Sequence, residues 1–359
     1  MIYTCVIAVL FFGLSLFCWL KPSDAFSATE RRPLDQMPEL SIHTIANGKF
    51  MSKFEEYTLD QFPLRDGFRS VKAVVAKYVF GQLDNNDIYI ADGYISEMDY
   101  PLNDKAIGQA ANKFAAIYDK YLKDTEVNVY YSIIPDKNYF LAEPNGYLAI
   151  DYDALYQQIH DRADYMQYID ITGLLSLEDY YRTDTHWKQE NIIDVAETLA
   201  GAMGAEVNVE YTAEKLDNPF YGVYYGQLGL PVDADTITYL NNATLDGCVV
   251  HDHQNNVSMY VYDIEKAAGR DPYEMYLGGS LSVITLENPA ADTDKELVIF
   301  RDSFGSSIAP LLVDGYAKIT LLDARYLHQN MIGNYVTFTN QDVLFLHCTS
   351  VLNNETAFK

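Results

Sequence analysis

Cysteine is scarce in this sequence, with four in 359 residues. Two of them, Cys5 and Cys18, lie in an apolar N-terminal run, so a scaffold held together by disulfides is excluded. Two alternatives stay open for Cys248 and Cys348: a disulfide formed outside the cell, or two buried free thiols. The nearest approach to metal-ligand spacing, at residues 251–253, lies in a polar, loop-like stretch. The sequence therefore predicts neither a metal nor any other cofactor.

Basic residues are also few. Lysine and arginine total 25 against 51 aspartates and glutamates, which gives a formal net charge of −26 and a pI near 4.4. The chain has no basic run that could neutralise phosphates, so nucleic acid is excluded as a partner and anionic lipid surfaces are disfavoured. The hydrophobic content of 49% is ample for the core of a globular protein.

One long hydrophobic run is present, at residues 2–20. It carries no charge and is long enough to span the core of a bilayer as a helix. We expect a membrane anchor in residues 1–22, and the alternative is a signal peptide cut near Ala25 or Ala28. Residues 23–47 are polar with interspersed prolines, and we predict that they form a tether. Both alternatives indicate export from the cytoplasm.

Apolar strand patterns alternate with amphipathic helix patterns over much of the remaining chain. Near-continuous apolar strands separated by helices indicate a parallel sheet covered on both faces, so we predict a three-layer α/β domain over residues 48–359. Residues from about 209 to 290 are rich in Tyr, Gly and Asp, and we predict a partly β insertion there. The predicted strands are 127–134, 168–171, 297–300, 319–322 and 343–346, and the predicted helices include 107–121, 189–201 and 306–313.

Two short segments contain the residue types of an acyl-transfer site. Ser303 lies in the turn between a predicted strand and a predicted helix, where backbone N–H groups can point at an oxyanion. Asp184 and His186 are two residues apart, so the carboxylate can orient and polarise the imidazole, which would then deprotonate Ser303. Each half alone has an ordinary structural alternative: Asp184 can cap a helix and Ser303 can be a turn residue. Together they predict a Ser-His-Asp site.

The residues around these segments resemble the DHHW-type proteins, which are relatives of the alginate O-acetylation proteins in the SGNH hydrolase-like superfamily. The specific part of the resemblance is 184–187 with the preceding 180–183, and the turn 302–304. Further matches over roughly residues 28–350 are 30–34, 54–57, 60–66, 134–137 and 323–326. Two positions depart from the pattern: Thr185 replaces the second histidine of the family name, and Arg301 stands where many SGNH enzymes have glycine.

The resemblance implies an SGNH-like fold, acetyl chemistry in the bacterial cell envelope and a membrane-bound O-acyltransferase partner as acyl donor. It also implies roles for several residues. Besides the catalytic Asp184, His186 and Ser303, the candidates for binding substrate are Arg65, Lys137, Tyr181, Trp187, Arg301 and Arg325. We expect Trp187 to pack beneath the Asp-x-His turn rather than to stack on a sugar.

Three functions fit these observations. The first is an extracytoplasmic O-acetyltransferase that acts on a cell-surface or secreted polysaccharide, and the 30 tyrosines suit a glycan partner. The second is a carbohydrate esterase, in which water is the acceptor. The third is a non-catalytic glycan-binding or assembly protein with the same fold. The first two differ in how well the site excludes water, which a sequence does not reveal.

Overall fold

The computed structural model describes residues 2–27, 29–207 and 210–359. Ala28, one of the two predicted cleavage positions, and residue 209, where the predicted insertion starts, lie outside the described residues. The chain divides into two units. The smaller unit contains the residues up to Ile88 together with Val223–Val232, and the larger contains Tyr89–Gly222 and Asp233–Lys359.

The larger unit is built on an eight-stranded sheet. In chain order its strands are β1 (Asn128–Ile134), β2 (Gln167–Tyr168), β3 (Val249–Asp252), β4 (Val257–Met259), β5 (Val283–Glu287), β6 (Glu296–Arg301), β7 (Lys318–Leu322) and β8 (Asp342–Cys348). Their order across the sheet is β4-β3-β5-β7-β6-β8-β1-β2. The five strands from β7 to β2 run parallel, and the pairings at the other edge are antiparallel. The predicted α/β fold with a mostly parallel central sheet is confirmed.

Helices cover both faces of this sheet. Successive residues of a strand point to opposite faces, and β6 illustrates this: Leu297 and Ile299 pack in one core, Val298 and Phe300 in the other. Helices Ile193–Ala202 and Gly305–Leu312 belong to the first core, and Asp104–Ile117 and Tyr152–His160 to the second. Three layers result, as the apolar strands predicted. The other helices of this unit are Lys137–Leu141, Ala243–Gly247 and Thr349–Leu352.

The region predicted as a partly β insertion contributes strands to the central sheet. Strands β3, β4 and β5 all come from it and extend the central sheet through antiparallel pairings, so this part belongs to the main architecture. A separate two-stranded sheet pairs Thr212–Lys215 with Thr238–Asn241. A short strand with alternating buried and exposed residues is a weaker sequence signal than a continuous apolar run. The pattern therefore indicated β character in this region but not that its strands join the central sheet.

The smaller unit begins with the apolar helix Ile2–Leu20. Its residues Tyr3–Leu20 are long and apolar enough to cross a membrane, with a mean hydropathy of 2.2, and a signal sequence would have the same properties. The other helices of this unit are Ile42–Ala46, Lys49–Asp60, Arg65–Tyr78 and Val223–Leu228. Its short strands are Phe26–Ser27, which pairs with Arg32–Pro33, and Asp84–Asn85; a hairpin of Ile88–Ala91 and Tyr94–Glu97 follows.

The segment predicted as a tether is fixed by hydrogen bonds. The buried carboxylate of Asp60 accepts from the Arg32 guanidinium at 2.6 and 2.8 Å and from the Asp35 N–H at 2.8 Å. The Gln61 side chain accepts from the Asp24 N–H at 2.8 Å and donates to the Asp35 carbonyl at 3.0 Å. Asp24, Arg32 and Asp35 are therefore held against the end of helix Lys49–Asp60, which a composition rich in polar residues and proline did not indicate.

Candidate active site

Ser303 lies where β6 ends and helix Gly305–Leu312 begins, at the carboxyl edge of the parallel strands. The buried Asp302 carboxylate fixes this turn, because it accepts from the Phe304 N–H at 3.0 Å and from the Cys348 N–H of β8 at 2.7 Å. Gly305 is required for close packing, since a Cβ there would lie 2.6 Å from Cβ of Arg301. Ser303 itself remains half-buried, with its hydroxyl directed at His186.

The side chains of Asp184, His186 and Ser303 form one hydrogen-bonded chain. Nδ1 of His186 lies 2.6 Å from Oδ1 of Asp184, and Nε2 lies 2.7 Å from Oγ of Ser303. An ionised carboxylate can only accept, so Nδ1 carries the imidazole hydrogen and Nε2 of the neutral ring accepts from the serine hydroxyl. Asp184 is buried and His186 nearly so. In this arrangement the imidazole can take the proton of Ser303.

Lys137 holds the turn that carries Asp184 and His186. Its buried Nζ donates to the carbonyl oxygens of Tyr181 at 2.9 Å, Arg182 at 3.3 Å and Asp184 at 2.6 Å. The lysine is placed there by helix Lys137–Leu141, which follows β1 directly and is capped by Asp136. Burial lowers the pKa of Lys137 to about 7, against the opposing influence of Asp184. Three carbonyl oxygens of the Asp-x-His turn thus converge on one buried amine.

Asp235 and Gly222 hold the same turn from other directions. The Asp235 carboxylate accepts from the Arg182 N–H at 3.0 Å and from the N–H and hydroxyl of Thr183 at 2.7 and 2.6 Å. Gly222 donates its N–H to the Thr183 hydroxyl at 2.9 Å. A Cβ on Gly222 would lie only 2.3 Å from Cα and Cβ of Asp184, so the chain approaches the aspartate as closely as glycine allows.

Aromatic rings enclose the imidazole. Tyr273 stacks on His186 with ring centroids 3.8 Å apart and an interplanar angle of 7°, and Phe304 packs against it at 4.9 Å. The Tyr273 hydroxyl lies 2.7 Å from Oγ of Ser307, which also accepts from Nε1 of Trp187 at 2.8 Å. This network fixes the orientation of the imidazole ring and ties it to helix Gly305–Leu312.

The structure places the other predicted residues as follows. Trp187 is fully buried and contacts Phe304, so it packs beneath the turn as expected. Tyr181 is fully buried too, and its N–H donates to the His186 carbonyl at 3.0 Å. With Lys137, these residues lie inside the protein and support the turn, and substrate could reach none of them without rearrangement.

The three predicted arginines all bind protein groups. Arg301 is fully buried, and it donates to the carbonyl oxygens of Gly279 at 3.1 Å and Leu281 at 3.2 Å. Burial lowers its pKa. Arg325 forms a two-pronged ion pair with the buried Asp323 at 2.6 and 2.9 Å and keeps a small exposed fraction. Arg65 lies in the smaller unit, where it pairs with Glu30 and Asp60.

Most backbone N–H groups of the turn after β6 already donate to protein groups, so few remain to bind an oxyanion. The N–H groups of Phe304, Gly305 and Ser306 donate to the Asp302 carboxylate, the Asp302 carbonyl and the Ser303 carbonyl. These bonds leave the N–H of Ser303 itself as the candidate donor from this turn. Within residues 2–27, 29–207 and 210–359, no group of three or more His, Cys, Asp or Glu side chains could hold a metal ion.

Solved structures of other proteins are similar to the chain in fold. The chain is similar in fold to a DHHW family protein from Eubacterium siraeum DSM 15702, with a TM-score of 0.61 and 22% identity over 75% of this chain and 92% of that one. Bacillus cereus PatB1, solved with a sulfonyl adduct, is similar with a TM-score of 0.59 and 17% identity over 76% of this chain and 98% of that one. The O-acetyltransferase domain of Pseudomonas putida AlgJ follows with a TM-score of 0.45 and 12% identity, over 74% and 92% of the two chains.

No protein-family model and no curated protein matches the chain. The likeness to the DHHW family protein confirms the DHHW resemblance at the level of the fold.

Sequence reasoning missed Gly222, Asp235, Tyr273 and Ser307. All four contact the Asp-x-His turn, the imidazole or Trp187, yet Gly222, Asp235 and Tyr273 come from the region interpreted as an insertion. Their positions depend on tertiary packing and carry no local pattern. The one available signal was Ser307, which belongs to the segment 301–307 that includes the predicted nucleophile.

Proposed function

We propose that this protein is an extracytoplasmic, serine-dependent O-acetyltransferase that acts on a cell-surface or secreted polysaccharide. The hydrogen-bonded chain from Asp184 through His186 to Ser303, with distances of 2.6 and 2.7 Å, is the observation that carries the proposal. It supplies the chemistry of acyl transfer. The acetyl group and the glycan acceptor come from the resemblance to relatives of the alginate O-acetylation proteins.

In the first half-reaction Ser303 attacks the carbonyl carbon of the acyl donor. Nε2 of His186 takes the hydroxyl proton as the bond from Oγ to carbon forms. The tetrahedral intermediate collapses, the bond to the donor oxygen breaks, and the imidazolium gives its proton to that oxygen. Asp184 stays ionised throughout and stabilises the imidazolium. The product is an O-acetyl ester on Ser303.

In the second half-reaction a sugar hydroxyl takes the place of the departed donor. His186 accepts the proton of this hydroxyl while its oxygen attacks the acetyl carbonyl, and the ester bond to Ser303 then breaks. The serine oxygen recovers the proton from His186. The enzyme returns to its starting state, and the acetyl group has passed from one oxygen to another without any net change of charge.

Helix Ile2–Leu20 supports the proposed location. We infer that it anchors the protein in the cytoplasmic membrane with the remaining chain outside the cytoplasm; cleavage as a signal peptide would give a secreted protein instead. A membrane-bound O-acyltransferase is the acyl donor that the resemblance implies, and it belongs to the proposal on that basis alone.

Two other functions use the same fold. A carbohydrate esterase would need the same three side chains with water as acceptor, so the geometry alone favours neither enzyme. A non-catalytic glycan-binding protein would have no need for the aligned Asp184, His186 and Ser303. The short distances and the buried supports from Lys137 and Asp235 argue against this third function.

The test is transfer of acetyl from para-nitrophenyl acetate to a panel of oligosaccharides, read by mass spectrometry. The wild-type protein should give acetylated sugar, and Ser303→Ala should lower the rate by several orders of magnitude. Ser306→Ala is the matched control, since it removes a buried hydroxyl from the same helix start without touching His186. Release of nitrophenol with all of the acetyl group recovered as acetate, and none on any sugar, would favour the esterase; full activity of Ser303→Ala would contradict both enzymes.

A sulfonyl fluoride provides a second readout. A sulfonyl adduct forms when an activated nucleophile displaces fluoride from sulfur, and PatB1 has been solved with a sulfonyl adduct. Phenylmethanesulfonyl fluoride should therefore modify Ser303 and no other serine, and His186→Ala should prevent the modification. Labelling spread over several serines would show that Ser303 is not activated.

A further inference from the structure

Helix Arg65–Tyr78 exposes its apolar side to solvent. Phe68, Val71 and Tyr78 are 51%, 61% and 73% exposed, and Val75 is exposed as well. These residues recur at three- and four-residue spacing, so they form one stripe along the helix, which Leu64 before it and Val79 after it extend. Contiguous apolar patches of this kind mark interaction sites on soluble proteins.

The opposite side of the helix is the one that packs against the protein, and it has small and charged residues. Ala73 and Ala76 are the buried residues of this helix. Arg69 lies on the same side, where it pairs with Glu30 at 3.2 Å and donates to the Gly226 carbonyl at 3.0 Å. The usual pattern of a surface helix is therefore reversed, because the large apolar side chains face solvent instead of packing in the core of this unit.

The helix is also locally basic in an acidic protein. It contains Arg65, Arg69, Lys72 and Lys77 against the single acidic residue Asp66, whereas the whole chain has a net charge of −26. Arg65 and Arg69 pair with Glu30, while Lys72, next to Val71 in the sequence, is exposed. A basic residue beside an apolar stripe is typical of amphipathic helices that lie in a membrane surface. The net charge of the whole chain disfavours anionic lipid, but salt screens charges beyond about 8 Å, so the charges beside the stripe decide this contact.

The stripe continues from the end of the apolar N-terminal helix. Cys18 and Trp19, in the last turn of helix Ile2–Leu20, line a groove together with Phe54 and Phe62. Phe62 in turn contacts Phe68, the first aromatic residue of the stripe, with ring centroids 5.5 Å apart. Aromatic contacts and the groove thus link the end of the helix that can cross a membrane to the exposed side of helix Arg65–Tyr78.

We propose that helix Arg65–Tyr78 lies in the surface of an anionic lipid bilayer, with the stripe Leu64, Phe68, Val71, Val75, Tyr78 and Val79 inserted among the lipid chains. The proposal rests on the membrane anchor but is independent of the acetyl chemistry. Insertion removes the stripe from water, and each large apolar side chain contributes roughly tenfold or more to partitioning. Together with the anchor, the helix gives the smaller unit a second attachment to the bilayer.

Tryptophan fluorescence tests this placement in the full-length chain. The protein has two tryptophans, Trp19 and the fully buried Trp187, so a third can be followed after Trp19→Phe. Val71→Trp reports on the stripe, and Asp66→Trp, on another side of the same helix, is the matched control. Both variants are reconstituted in vesicles of phosphatidylglycerol and brominated phosphatidylcholine, because bromine quenches tryptophan on contact. Wild-type Trp19 reports insertion of the anchor.

We expect bromine to quench Val71→Trp at least twice as strongly as Asp66→Trp. The difference should shrink when zwitterionic lipid replaces phosphatidylglycerol. Equal quenching of the two variants would overturn the proposal, and so would an unquenched Val71→Trp in vesicles where Trp19 is quenched. Disulfide-linked dimers of a Val71→Cys chain, formed together with an unquenched Val71→Trp, would assign the stripe to contact between copies instead.

Discussion

Replacing Gly222 by alanine should displace Asp184 and disable the site. A Cβ at position 222 would lie 2.3 Å from Cα and Cβ of Asp184 and 2.4 Å from its N. Ordinary carbon contacts need about 3.4 Å or more, so the two backbone segments must separate by about 1 Å. Asp184 sits 2.6 Å from the imidazole, and a shift of that size breaks the bond that orients His186. Misplacement of about 1 Å typically costs about 100-fold in rate.

The assay is kcat for acetyl transfer or ester cleavage, measured together with the thermal midpoint. We expect Gly222→Ala to lower kcat about 100-fold and to destabilise the fold by about 1–3 kcal/mol, as overpacking does. Gly108→Ala is the matched control, because that glycine lies inside helix Asp104–Ile117 and a Cβ there meets nothing within 4 Å. It should leave kcat unchanged. A Gly222→Ala protein with wild-type kcat would refute the reasoning.

Three further predictions concern buried groups. Lys137→Met keeps the stem of the side chain but removes the amine that donates to three turn carbonyls, of which that of Arg182 also accepts from the Ile95 N–H at 2.7 Å. We expect a loss of about 3–5 kcal/mol in the free energy of unfolding, measured by urea denaturation, and a fall in kcat. Tyr273→Phe keeps the ring stacked on His186 and should change kcat less than threefold, whereas Tyr273→Leu removes the ring and should lower kcat at least tenfold. Equal effects of the two variants would show that kcat does not depend on this stacking. His347 is buried, its ring nitrogens have no partner, and burial lowers its pKa to about 4. In the unfolded chain His347 takes up a proton near pH 6.5, and in the folded protein it does not. Its contribution to the free energy of unfolding is therefore complete above pH 6.5 and is lost as pH falls toward 4, by at most about 3 kcal/mol. His347→Phe should remove that pH dependence and raise the thermal midpoint at pH 7, and an unchanged acid profile would contradict the assignment.

The parallel part of the fold could be predicted from the sequence because its strands are apolar on both faces. The runs around Val298 and Leu344 have this property, and their lengths and flanking helices distinguish them from helix segments. Strand β4 lies at the edge of the sheet and β3 lies next to it, and both are short. Their region was predicted to be partly β, but the pattern gave no sign that these strands join the central sheet. Residues 168–171 were predicted as a strand, yet pairing is limited to Gln167–Tyr168.

The site could be predicted in its central residues and not in its supports. Asp184, His186 and Ser303 have residue types and local contexts that, taken together, point to acyl chemistry. Lys137 was recognised as a matching position, but a lysine in sequence suggests an exposed charge, and burial behind three carbonyls is decided by tertiary packing. Tyr273 and Gly222 act through their distance to His186 and Asp184, which no periodicity encodes.

Whether Ser303 carries the acetyl group can be read by mass spectrometry of the peptide that contains it, after rapid quenching of a reaction with para-nitrophenyl acetate. We expect the added mass of one acetyl group on Ser303, and loss of that group when an acceptor oligosaccharide is added. The modification should be absent from His186→Ala, because the imidazole that deprotonates Ser303 is missing. Acetyl groups on other residues, or an equal yield on Ser303 in His186→Ala, would contradict the account.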